Sequence, residues 1–136
     1  MSYDPLKLLD LCKSLCQDKS KADLETLTRT IISRAYYSAF LHAREYLKEV
    51  KQIQFTGSGD DHTIVEKELM NKVNRQLGST IRTLRENRSA ADYNLNSPAV
   101  PNPWSKFGRR LLKFDQTNQK DSVRLAEYVT NNLPRP

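Results

Sequence analysis

Glycine, proline, cysteine, histidine and tryptophan are all scarce in these 136 residues, at four, six, two, two and one respectively. So little glycine and proline argues against a turn-rich β fold, and no window alternates apolar and polar residues well enough to make a strand. No uncharged apolar run approaches the ~20 residues that span a bilayer. The N-terminus MSYDPLKLLDL carries acidic residues where a signal peptide has basic ones, so a cytoplasmic protein with no membrane partner is expected. Cys12 and Cys16 stand four apart, where helical side chains run parallel and do not face each other for a disulfide. With no second Cys or His pair nearby, zinc lacks ligands, so the two read as small buried thiols. Neither a metal nor another cofactor is expected.

What the chain does have is charge and helical periodicity. Lys and Arg number 22 against 16 Asp and Glu, a net charge of +6 that permits binding to RNA, DNA or an acidic partner without selecting among them. The one dense basic patch is KFGRRLLK, Lys106 to Lys113. The length fits a single domain that buries roughly two-thirds of its unfolded surface.

Leu6, Leu9, Cys12, Leu15 and Cys16 recur at helical spacing after Pro5, predicting a first helix over residues 5–17. From Ala22 to Gln54 there is neither Pro nor Gly, and the apolar period of 3.6 persists, predicting one long second helix that TGSGDD ends. A third helix is expected from His62 or Thr63, where Thr63 and Glu66 have capping-box spacing, to Gly78 as its C-terminal cap. Ser79 then caps a fourth helix reaching about Asn94. SPAVPNP breaks the pattern, Asn102-Pro103 resembles a cap and first helical residue, and the tail from about Ser122 to Leu133 is helical again. The expected architecture is an all-α, up-and-down bundle of five to six helices in one domain over 1–136, with a Pro-rich insertion at about 95–121.

Within the second helix, ISRAYYSAFLHAREYL places Ile32, Ala35, Tyr36, Ala39, Ala43, Tyr46, Leu47 and Val50 on one broad core face. Tyr37 and Leu41 lie almost opposite and form a second strip suited to a partner helix or another subunit. In the fourth helix, Leu84, Arg88, Ala91 and Leu95 share a stripe with Ile81, which puts Arg88 on the apolar side. A semi-buried Arg needs a carboxylate or a phosphate, and Arg85 and Asp92 lie within a turn of it.

SRAYYSAFLHAREYL, HTIVEKEL, LRENRSAADYN and SVRLAEYVTNNL, in that order, resemble the HEPN domain (higher eukaryotes and prokaryotes nucleotide-binding). The likeness is greatest to a small prokaryotic subgroup with an Arg-to-Ala-Asp-Tyr motif, and these stretches cover about two-thirds of the chain. The resemblance implies an all-α bundle that commonly forms a homodimer, with motif helices of two subunits around a shared cleft. It implies RNA or a nucleotide as ligand, and a minimal nucleotidyltransferase or other cognate protein as partner in a defence or toxin–antitoxin system. Many members are metal-independent ribonucleases in which an Arg holds the scissile phosphate and a His four to six residues on acts as base.

This sequence departs from that motif, because no His follows Arg85 and Arg88 anywhere in the chain and the corresponding region offers Asp92 and Tyr93. An ordinary Asp, with a pKa near 3.9, is a poor base toward a hydroxyl at neutral pH. Arg85, Arg88 and Asp92 are the candidate catalytic residues, and His42 and His62 are the imidazoles that other helices can supply. Tyr93, Trp104, Lys106, Arg109 and Arg110 are candidate binding residues, of types that suit RNA or a protein partner. The leading expectation is a HEPN-like binding module whose catalytic motif lacks its histidine. The alternatives are an active metal-independent endoribonuclease and a helical interaction protein with no nucleic-acid role.

Overall fold

The computed structural model describes residues 3–17, 23–99 and 112–134. Trp104, Lys106, Arg109 and Arg110, and the helix expected after Asn102, lie outside them. Five helices make an all-α bundle: α1 (Leu6–Cys16), α2 (Leu24–Val50), α3 (Asp60–Lys72), α4 (Arg75–Tyr93) and α5 (Gln116–Asn131). Apart from one isolated antiparallel bridge between Ala99 and Leu112, no extended pairing occurs among the described residues.

α2 is the axis of the bundle and packs against the other four helices. Its start is set by Asp23, whose side chain accepts the Thr26 amide, with Glu25 in the first turn where the helix dipole favours an acid. Ala35, Ala39 and Ala43 are fully buried, and their small side chains let neighbouring helices approach. The expected core face holds for Ile32, Tyr36 and Leu47, whereas Tyr46 is half-buried and Val50 is exposed at the C-terminal end of the helix. Tyr37 and Leu41 are half-buried against the same core, so other helices of this chain cover the second strip. Ile32 belongs to a separate cluster with Ala90, Ala91, Ala99, Leu112 and Phe114.

The boundary between α3 and α4 differs from the sequence-based expectation in three ways. α3 begins at Asp60, because Asp60 and Asp61 occupy the first turn, and Glu66 is buried a turn deeper where it caps nothing. The break falls at Val73 and Asn74, where the Asn74 side chain accepts the amides of Gln76 and Leu77 and starts α4 in place of Ser79. Gly78 therefore lies inside α4 and caps no helix. A Cβ there would clash with Met70 Cγ and stand 2.7 Å from the Glu66 carbonyl oxygen, so the residue is bare because α3 crosses directly over it.

α5 starts six residues before Ser122, capped by Asp115, which accepts the Asn118 amide. Its polar first turns are buried yet satisfied: Asn118 accepts the Lys113 amide at 2.8 Å, and Gln119 donates to Thr28 Oγ1 at 2.8 Å. Cys12 is buried and its thiol points at the Ile31 carbonyl, 3.7 Å away. Burial and the neighbouring Cys16 push it up to about 12, which makes it an unreactive packing group.

Candidate functional site

The polar residues of α2, α3 and α4 converge on one aromatic pair. Tyr36 and Tyr37 stand edge to face, with ring centroids 5.3 Å apart. From α4, the Arg88 guanidinium lies 5.4 Å from the Tyr36 ring centre and 5.6 Å from that of Tyr37, within cation–π range. From the first turn of α3, His62 stacks on Phe40 at 4.2 Å and 17°, and its Nδ1 is hydrogen-bonded to the Tyr36 hydroxyl.

Arg88 is only 14% exposed and its Nη1 lies 3.6 Å from Asp92 Oδ2, which also accepts a hydrogen bond from Ser33 Oγ at 3.4 Å. Arg85 does not join that pair. Its Nη2 reaches Glu66 Oε2 at 3.1 Å, while Arg82 Nε stands 3.6 Å from the other Glu66 oxygen. Next to His62, the buried Asp61 accepts the amides of Thr56 and Gly57 and the Thr56 hydroxyl, and pairs with Arg44 at 3.8 Å. Burial opposes its charge, but the Thr56 and Gly57 donors and Arg44 outweigh burial and hold the carboxyl below its usual range.

Of the candidate residues, Arg85, Arg88, Asp92 and His62 thus lie along one connected face, and His42 does not. His42 is buried and donates from Nε2 to the Leu133 carbonyl at 2.6 Å, tying α2 to the far end of the last helix. Tyr93 is 74% exposed at the end of α4. Tyr36, Phe40, Arg82 and Glu66 were missed as members of this face. The three-residue spacing of Arg82, Arg85 and Arg88 was a readable signal, whereas Glu66 was hidden by its capping-box spacing.

The hydrogen bond between Tyr36 and His62 settles what the imidazole offers. Burial, with Glu66 nearby, pushes the Tyr36 phenol well above its ordinary range, so it keeps its proton and needs an acceptor. Nδ1 of His62 is the acceptor it has among the described residues. Burial, then the Arg88 and Arg85 cations, hold His62 below its ordinary value, so at neutral pH it is uncharged and carries its proton on Nε2. That arrangement leaves His62 one N–H, on Nε2, and no free base on the ring.

The same linkage has a stability consequence. A histidine with a native pKa below its unfolded value of about 6.5 stabilises the fold above that pH and loses the contribution as pH falls through the native value. Chemical denaturation at pH 7.5 and pH 5 is expected to show a larger acid loss for the wild type than for His62→Gln. Equal losses would show that His62 does not titrate against the fold.

The site is therefore rich in donors set around the Glu66 and Asp92 carboxylates. Among the described residues the buried Nε atoms of Arg85 and Arg88 have no hydrogen-bond partner, as is also true of the buried Glu66 Oε1, and the His62 ring stands beside Tyr36 and Tyr37. Among the described residues no three His, Cys, Asp or Glu side chains come together to hold a metal ion. The fold and site define a helical bundle with a cation-and-aromatic face suited to an anion. No family model, curated protein or solved structure matches this chain.

Proposed function

We propose that this protein is a HEPN-like RNA-binding module, of a prokaryotic defence or toxin–antitoxin type, in which Arg85, Arg88 and His62 receive a backbone phosphate. One observation carries the reading: donors from two helices converge beside Tyr36 and Tyr37, with the histidine turned so that it donates. Arg supplies the charge-assisted hydrogen bonds that phosphate favours. The net charge of +6 favours encounter with a polyanion. The family likeness adds a homodimer and a cognate protein such as a nucleotidyltransferase as partners. Among the described residues no helix is long and apolar enough to cross a membrane.

A second reading, metal-independent RNA cleavage, is favoured by the neutral state of His62 next to two arginines. It requires Tyr36 to surrender Nδ1, or the ring to exchange its tautomer, before the histidine can accept a proton.

Anisotropy of a labelled single-stranded RNA separates the readings. Binding is expected to weaken with salt, and Arg88→Ala to lower affinity about tenfold or more and to reduce the salt slope by about one. RNA left intact in EDTA supports the binding module. Cleavage in EDTA that His62→Ala abolishes establishes the nuclease instead, and the absence of salt-sensitive binding rejects both.

A further inference from the structure

A groove of about 480 Å³ runs between the N-terminal half of α2 and the end of α4, and Thr26, Thr30, Ser33, Arg34, Asp92 and Tyr93 are among its walls. That volume lies within the range of small-molecule sites, about 300–1,000 Å³. Three of its donors are already turned into the protein. Thr30 Oγ1 donates to the Thr26 carbonyl at 2.9 Å, Ser33 Oγ donates to Asp92, and Arg29, also on the wall, gives Nη1 to the carbonyls of Ala90, Ala91 and Asn94.

What faces an incoming ligand is therefore an acceptor, a cation and a ring. Asp92 meets Ser33 and Arg88 through Oδ2, and its Oδ1 accepts no hydrogen bond among the described residues. A carboxylate has about four lone-pair sites, so its capacity is not filled. Arg34 and Tyr93 are exposed.

A complementary ligand has two adjacent N–H donors, neighbouring acceptors and a flat face. Guanine alone among the common bases has a ring N1–H beside an exocyclic N2 amino group, and its O6 and N7 are the usual partners of an arginine. Adenine has no ring N–H on that edge, and cytosine and uracil each bring a single donor group. Aromatic side chains stack on any of them.

We propose that this groove binds a guanine base, with Asp92 reading the N1 and N2 edge, Arg34 the O6 and N7 edge, and Tyr93 stacking on the ring. The inference rests on the phosphate site, to which it is joined through the pairing of Asp92 with Arg88. Base choice then follows from α2 and the end of α4, separately from phosphate affinity.

The test is competition by GMP, IMP and AMP against a labelled single-stranded RNA. GMP is expected to displace the RNA at concentrations about tenfold or more below AMP, with IMP, which keeps N1–H and lacks the amino group, between them. In Asp92→Asn, with unchanged circular dichroism, the GMP-to-AMP ratio is expected to collapse to about twofold or less. Equal competition by GMP and AMP on the wild type, or a preference that survives in Asp92→Asn, overturns the guanine assignment and leaves the phosphate site standing. If no nucleotide competes and no RNA binds, both fall.

Discussion

The double substitution Arg82→Ala/Arg85→Ala is expected to lower the stability of the fold by about 3–5 kcal/mol at neutral pH, the usual cost of stranding a buried charge. Glu66 is the reason: its side chain is only 3% exposed, and these two arginines are its ion-pair partners. Burial already pushes its carboxyl above the ordinary value, opposed by Arg85 and Arg82, so removing the cations raises it further. A carboxyl with a native pKa above its unfolded value makes the fold lose stability as pH rises through the native value, and regain it on acidification. The deficit of the double variant relative to wild type is therefore expected to be smaller at pH 5 than at pH 8 in urea denaturation. Adding Glu66→Met, which removes the stranded charge at similar volume, is expected to restore most of the loss at neutral pH. A pH-independent deficit, or no rescue, would mean that the arginines act through packing alone.

Gly78→Ala is expected to destabilise by about 2 kcal/mol, although replacing a mid-helix glycine by alanine on an open surface gains about 1 kcal/mol. The added methyl would meet Met70 Cγ, which can move, and the Glu66 carbonyl oxygen at 2.7 Å, which can do so only if α3 shifts. Overpacking against backbone costs roughly 1–3 kcal/mol in general and outweighs the propensity gain here. The thermal midpoint of Gly78→Ala should fall. A rise would show that α3 and α4 separate freely and that the contact is soft.

The long helices were legible because their signals are strong and local. α2 declares itself by an unbroken 3.6 period without Pro or Gly, and α1 by Pro5 followed by a leucine and cysteine stripe. The α3–α4 boundary was misread because Gly78 has the composition of a C-cap, whereas its cause is the passage of another helix, which no local window contains. The start of α5 was missed for a related reason: Asn118 and Gln119 look like loop residues until Lys113 and Thr28 are brought up to satisfy them. Within the site, Arg88 on an apolar stripe with Asp92 in reach followed from helix geometry, whereas the expected cluster of Arg85 with them did not form, because Arg85 turns to Glu66. The meeting of His62 with Tyr36, and of Glu66 with Arg82 and Arg85, joins residues from different helices and required the fold.

The guanidinium of Arg29 has a consequence for how the molecule comes apart. α4 has no basic residue in its own last turn, and its final carbonyls are held by Arg29 from α2, which also lies 4.0 Å over the Phe114 ring just ahead of α5. Helix ends ordinarily fray outward one turn at a time, at little cost. Here the terminal turn carrying Asp92 is tied through Arg29 to the seam that joins α2, α4 and α5, so unwinding it gives up charge-assisted hydrogen bonds to its last carbonyls. Asp92 is thereby held more firmly than its place at the end of a helix alone provides.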